Sequence, residues 1–219
     1  MRGIYIIVEG QTEEEFVKVT LQPYLSSHGI HDVRAILLET SPGHKGGDLK
    51  FSRFERNAIH LLKRETDIVV TSLIDFFRLK NDFPKYNKID SISDKQEKVT
   101  FLEQAMAEVI NYRNFLPYIQ LHEFEGLLFS DQSGFDYIPD IPDRSFEILA
   151  GVIKDHKNPE LINDGFETAP SKRLEKLIPP YRKTLHGPLI AEEIGIIKIL
   201  EKCPRFRNWV EQLIEKVKE

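Results

Sequence analysis

The sequence predicts an α/β fold: a mostly parallel sheet flanked by helices, followed by a helical C-terminal extension. Three observations predict it. Residues 4–8, 33–38 and 67–74 are nearly unbroken apolar runs, the pattern of strands covered on both faces. Helix-periodic stretches separate them, which is the strand–helix–strand order of a parallel sheet. From residue 190 onward the pattern is helical to 218, broken at Pro204.

The elements follow in order. Residues 4–8 are β-branched, aromatic and apolar, hence a strand. Gly10 permits a turn, and Thr12 with Glu15 reads as a capping box for a helix carrying Phe16, Val17, Val19, Leu21 and Leu25. That helix is expected to stop or distort near Pro23. Residues 33–38 form the second strand. Residues 41–50, SPGHKGGDLK, read as a glycine-rich loop. Residues 51–63 are a helix with Phe54, Ala58, Leu61 and Leu62 on its apolar side, and 67–74 are the third strand. A polar and aromatic loop follows Asp75, then a helix over 98–111. A fourth strand over 115–121 is interrupted by Pro117, which favours an edge or a strand start. Residues 124–129 fit a short helix or a strand. Ser171 is a candidate cap for a helix over 171–177. Trp209, Leu213 and Val217, one turn apart, give the tail an apolar stripe. With no convincing linker, residues 1–219 read as one domain, its core about 1–130 and its helical extension about 140–219.

Composition bounds the function. A net charge of -5 argues against a general basic nucleic-acid coat but leaves room for a local basic groove. The single cysteine, Cys203, excludes an internal disulfide. No run reaches the length of a bilayer span, and the apolar part of the N-terminus is short for a signal peptide. A cytoplasmic protein without membrane association is expected.

The acids carry the chemistry. Ligands of parallel α/β sheets bind beyond the C-terminal ends of the strands. Glu9 follows the first strand and Asp75 the third, so both are expected in one crevice. Two carboxylates there repel, and a divalent cation relieves them. Mg²⁺ favours one or two carboxylates with waters and phosphate oxygens, which suits metal-assisted phosphodiester cleavage. Capping of Glu9 by the amides of residues 10–12 is the plainer reading. Glu123 and Glu125, in HEFEG, lie between apolar residues. Metal ligation and a buried salt bridge to a lysine or arginine both account for them. His122 alone is weak support for a metal. HEFEG has Gly126 where a zincin motif needs its second histidine.

Basic residues fall in three places. Lys45 with the glycines of HKGGDLK could hold a backbone phosphate, although the P-loop pattern is absent. Lys172 and Arg173 open a helix, where cations are poorly placed unless an anion joins them. Arg182, Lys183 and His186 form a further cluster, and Lys202, Arg205 and Arg207 surround Phe206. Solvated faces or protein contacts explain the same pattern.

The stretch VEGQTEEEF, residues 8–16, resembles the first motif of Toprim domains, where V-E-G-x-T-[DE] closes the first strand, in the version found in overcoming-lysogenization-defect nucleases. KGG at 45–47, SLIDFFRL at 72–79, NDFP at 81–84, IQLHEFEGLLFSD at 119–131, NPELINDGFETAPSKRL at 158–174 and HGPLIAEEIGI at 186–196, with CPRF and Trp209 beyond, extend the likeness over nearly the whole chain. Together they resemble a bacterial Toprim-like family described only as a domain of unknown function, DUF4276. The resemblance implies a Toprim-like, Rossmann-like fold. It implies metal binding or acid–base work for Glu9. Asp75 matches the first aspartate of a D-x-D motif whose second position is here Phe77, and Glu123 or Glu125 would supply the missing carboxylate. Lys45 and Lys172 become candidates for phosphate contact or transition-state charge stabilisation, and Lys45, Lys172, Arg173, Arg182, Lys183 and His186 for nucleic-acid contact. The expected activity is Mg²⁺- or Mn²⁺-dependent hydrolysis of DNA in phage defence or DNA repair, beside a separate ABC-type ATPase. The alternatives are a non-catalytic nucleic-acid-binding or regulatory subunit of such an ATPase complex, and phosphotransfer or hydrolysis on a small nucleotide or RNA.

Overall fold

A computed structural model describes residues 2–41, 44–45, 49–77, 79–139, 141–162, 165 and 167–219, the side chains at 39–41 and 44–45 excepted. The strands are β1 (Gly3–Val8), β2 (Val33–Leu37), β3 (Glu39–Ser41), β4 (His44–Lys45), β5 (Ile68–Asp75), β6 (Phe115–Leu116) and β7 (Ile119–Gln120). The main sheet runs β2-β1-β5-β6, with β7 also on β5, and all of its pairings are parallel. β3 and β4 pair antiparallel as a separate ribbon. The predicted α/β architecture, a Toprim-like arrangement, is therefore present.

The apolar runs have the expected cause. Ile4, Ile6, Val8, Val69 and Leu73 point into one core, while Tyr5, Ile7, Val70 and Ile74 point into the other. Successive side chains alternate between faces, and both faces are covered. Pro117 cannot donate to the ladder, so the fourth strand divides into β6 and β7. Side chains bridge the gap: Thr71 Oγ1 donates to the Leu116 carbonyl (2.5 Å), and the Ser72 hydroxyl accepts from Tyr118 N (2.9 Å).

The helices are α1 (Gln11–Phe16), α2 (Gln22–Ser27), α3 (Phe51–Arg64), α4 (Lys95–Ile110), α5 (Asp143–Asp155), α6 (Pro170–Leu177), α7 (Lys183–Ile194), α8 (Ile196–Lys202) and α9 (Pro204–Lys216). Helix α4 starts earlier than expected because Asp94 caps it, accepting from Glu97 N (2.8 Å). The helix after β1 does not stop at Pro23. A π-helical segment, Val17–Leu21, joins α1 to α2, and Pro23 falls in the first turn of α2, where its missing N–H is tolerated. Thr12 is not a cap. Gly10 occupies that position, and Thr12 is buried against Gly187, where an added Cβ would stand 3.0 Å from the Thr12 methyl. That close approach seats α7 on α1.

The C-terminal helices form the predicted extension and pack on the first core. The Trp209 indole N–H reaches Thr71 Oγ1 (2.9 Å), and its ring stacks on Tyr118 at 4.6 Å. A buried carboxylate starts α9: Glu160 accepts from Arg205 N (2.9 Å) and Phe206 N (3.1 Å). An anion at a helix N-terminus is favourable on both hydrogen-bonding and dipole grounds. In Glu160→Gln the amide offers one acceptor oxygen to two N–H groups. Urea denaturation is expected to show a loss of about 1–3 kcal/mol, with an unchanged m-value.

Candidate functional site

The parallel register sets the site. Val8 at the end of β1 pairs with Leu73 of β5, so Glu9 and Asp75 emerge together from the C-terminal edge. The Asp75 backbone meets the Glu9 side chain: Asp75 N donates to Glu9 Oε2 at 3.4 Å. β7 then guides the next segment to the same edge. Phe76 N donates to the Gln120 carbonyl (2.9 Å) and Phe77 N to the His122 carbonyl (2.7 Å). His122 takes φ +68°, a left-handed conformation uncommon outside glycine, and turns the chain across the strand ends. Phe124 N lands on Asp75 Oδ1 at 2.8 Å.

HEFEG is accordingly neither strand nor α-helix. It enters a buried 3₁₀ stretch, Phe124–Ser130. Glu123, extended, accepts from both Ser171 N (3.0 Å) and the Ser171 hydroxyl (2.9 Å). Ser171 therefore does not cap α6, whose cap position is Ala169; Glu123 supplies the acceptor from 48 residues away. Glu125 faces Lys183, with Nζ 2.9 Å from Oε1 and 3.9 Å from Glu123. Lys183 opens α7, a poor place for a cation by helix dipole alone, and the two glutamates explain its presence there.

These residues surround a cavity of about 270 Å³ lined by Glu9, Asp75, Phe77, Glu123, Ser171, Lys172, Glu175 and Lys183. Phe77, in the second position of the broken D-x-D pattern, forms part of the wall. Lys172 reaches the cavity and pairs with Glu175 at 2.5 Å. The other sequence candidates lie apart from it. Arg173 Nε donates to the Thr168 carbonyl (2.8 Å), and the Arg182 backbone N–H donates to His186 Nδ1 (3.2 Å). The Lys45 side chain lies outside the described residues.

Two carboxylates escaped the sequence reading: Glu175, on the cavity wall, and Glu13. Glu13 is buried in α1 and folds back over Gly10, where a Cβ would meet its Oε2 at 3.0 Å. Gly10 is extended (φ -143°), so the glycine provides room, not a left-handed turn. The available signal was spacing: Glu9 and Glu13 bracket the strand–helix turn.

Like-charge repulsion couples the five acids. Burial pushes the Glu13 carboxyl up to about 7, and Glu125 and Glu9 add to the rise. Asp75 is raised well above its ordinary value, first by burial, then by Glu13, Glu9, Glu125 and Glu123. Glu9 is raised by burial against the Asp75 amide and Lys183, and Glu125 by burial against Lys183. Burial pulls the Lys183 ammonium down, but Glu125 and Glu123 outweigh it and hold the charge in place. Burial lowers His122 to about 4, so its imidazole is neutral near pH 7. Among the described residues, no three Asp, Glu, His or Cys side chains are arranged to hold a metal ion. Nor is any helix long and apolar enough to cross a membrane among them.

The fold is shared with known structures of one class. The C-terminal region of the Burkholderia pseudomallei OLD protein matches with a TM-score of 0.53 at 16% identity, covering 99% of each chain. The C-terminal region of the Xanthomonas campestris pv. campestris OLD protein matches at 0.48 and 17% identity, over 99% of this chain and 92% of that one. Among curated proteins nothing matches. The chain belongs to the family described as Domain of unknown function (DUF4276), whose model matches residues 8–214.

The raised acids make stability depend on pH with a definite sign. Unfolded, Glu13 titrates near its ordinary 4.5; folded, near about 7. Its contribution is fully present below the lower value and is lost as pH rises through the upper one. The metal-free melting temperature is expected to fall between pH 5 and pH 8. Glu13→Gln removes an ionisation the fold resists, so it should flatten that fall. Thermal denaturation across the range checks both.

Proposed function

We propose that the protein is a Mg²⁺- or Mn²⁺-dependent nuclease that hydrolyses phosphodiester bonds, with DNA as substrate. The observation that carries the reading is the excess of carboxylates over paired cations. Glu9, Glu13, Asp75, Glu123 and Glu125 influence one another at the C-terminal edge of adjacent parallel strands, with Lys183 paired to Glu125 and Lys80 acting on Glu9. Their donors are all oxygens, which suit hard divalent cations. Glu123 is engaged by Ser171 through both oxygens and Glu125 by Lys183, whereas Glu9 and Asp75 each accept a single backbone N–H, so these two are the residues assigned to the ion. One or two carboxylates completed by waters and phosphate oxygens is a common Mg²⁺ arrangement.

Bound there, such an ion supplies Lewis acidity to the phosphoryl oxygens and lowers the pKa of water. The chain's own groups do the remainder. Glu9, at the end of β1 on the cavity wall, is placed to accept the proton of the attacking water as its oxygen bonds to phosphorus and the ester bond to the leaving oxygen breaks. Lys172 and Lys183, on the cavity wall, face the charge that develops on the phosphoryl oxygens. Lys45 is assigned to backbone phosphate, as are Arg173, Arg182 and His186, which lie off the cavity wall. The setting assigned to it is the cytoplasm, in phage defence or DNA repair, beside a separate ABC-type ATPase. One observation favours a second reading, a regulatory nucleic-acid-binding subunit: Lys183 closes on both Glu125 and Glu123.

Wild type, Glu9→Gln and Asp75→Asn are expected to differ on supercoiled, linear and single-stranded DNA and on RNA. Wild type cleaves DNA with Mg²⁺ or Mn²⁺ and not with EDTA; each variant loses at least about 10²-fold. Mn²⁺ calorimetry gives an independent readout, and a wild type that binds no Mn²⁺ removes the catalytic reading in favour of the second. We also propose that residues 1–219 form one domain, with a core about 1–130 and an extension about 140–219. Fluorescence of Trp209, in the extension, and far-ultraviolet dichroism should then report a single coincident unfolding transition; two separated transitions would reject it.

A further inference from the structure

A second cavity, of about 220 Å³, lies away from the acids. It is lined by Phe129, Ser130, Ile153, Lys154, His156, Lys157, Pro159 and Lys202, with no carboxylate among them. Three lysines from two helix ends therefore meet around one space. None of the three makes an ion pair among the described residues. His156 Nδ1 donates to the Val152 carbonyl at 2.8 Å, which fixes the ring and leaves Nε2 for another partner.

Lysines at helix C-termini have an ordinary explanation, since the last carbonyls carry about half a unit of negative charge per helix. Here α5 and α8 both end at the cavity. Two such ends offset about one of the three lysine charges, and no acidic side chain among the described residues lines the space to offset the others. On a chain of net charge -5 this lining is locally basic.

We propose that this cavity binds a phosphate group, held by Lys154, Lys157 and Lys202 with His156 beside them. Two carriers share that chemistry: a nucleic-acid backbone and a small free phosphate. The first rests on the nuclease reading; the second does not. For the backbone there is a connecting path. The 3₁₀ stretch Phe124–Ser130 starts on Asp75 and ends with Phe129 and Ser130 in the wall of the second cavity. Seven residues at about 2 Å each span at most about 14 Å, a distance that a few nucleotides of one strand cover. A strand anchored at the lysines would place its chain within reach of the acids.

The test uses the full chain in EDTA, so that cleavage plays no part. Binding of a fluorescein-labelled single-stranded oligonucleotide is followed by anisotropy against salt. Stabilisation by inorganic phosphate is followed by thermal denaturation. The variant Lys154→Gln/Lys157→Gln/Lys202→Gln is expected to bind the oligonucleotide roughly tenfold more weakly. Its salt slope should be shallower by about 0.7 for each phosphate that the lysines no longer neutralise. That result identifies the backbone. Loss of phosphate stabilisation with unchanged oligonucleotide binding identifies the small free phosphate. Wild-type behaviour towards both probes overturns the site. Lys157→Glu, beyond the end of α5, repeats the comparison if the triple variant fails to fold. Cleavage by Glu9→Gln and Asp75→Asn is scored separately, so the catalytic reading and this site fail on different measurements.

Discussion

Carboxylates that accept backbone N–H groups from segments distant in sequence fix the chain's path through this protein, and one of them, Glu123, ties the core to the helical extension. Asp75 takes Phe124 N, Glu123 takes Ser171 N, Glu160 takes Arg205 N and Phe206 N, and Glu103 takes Ile119 N at 2.8 Å. Desolvating a carboxylate costs several kcal/mol, and charge-assisted hydrogen bonds, roughly twice as strong as neutral ones, offset it only when the geometry is good. Each of these acids therefore fixes a particular segment in a particular place. Lys172 and Lys183 reach the acidic cavity because α6 and α7 are held there. The cation side of the site thus depends on bonds that look purely structural.

The same arrangement governs what the sequence disclosed. Strands and their polarity were legible because two-sided burial leaves an apolar run, and acids at strand ends follow from polarity. Glu9 and Asp75 were found in this way. The helix caps were not, because Glu123 and Glu160 act across 48 and 45 residues, and no local spacing encodes such a bond. Thr12 and Ser171 show the converse. Each stands where a cap is expected, yet tertiary contacts with Gly187 and Glu123 claim it. Glu13 went unread because its neighbours Glu14 and Glu15 make it look like solvent-facing helix. Only the close approach over Gly10 distinguishes it.

Sequence likeness and geometry meet at Phe77. A chain that carries phenylalanine in place of a second aspartate removes one charge from a cavity already crowded with them. The wall gains an apolar face, and the burden of negative charge shifts to Glu9, Glu13 and Asp75 on one side and the HEFE glutamates on the other. Lys183 stands between the glutamates and the cavity. Its ammonium lowers the energy of two carboxylates at once, so the HEFE side is the electrostatically quieter half.

The π-helical segment between α1 and α2 concerns angular phase. In an uninterrupted α-helix, twelve residues separate Glu13 from Leu25 by roughly 120° around the axis. Glu13 must face the strand ends, and Leu25 must face the core beneath the sheet; both are buried. The wider turn at Val17–Leu21 winds less per residue and brings the two faces closer to alignment. One surplus residue thus acts as a gear between a helix start committed to polar geometry and a helix end committed to packing. Rewinding that turn as α-helix would turn one of them away from its partner while every side chain remained in the sequence.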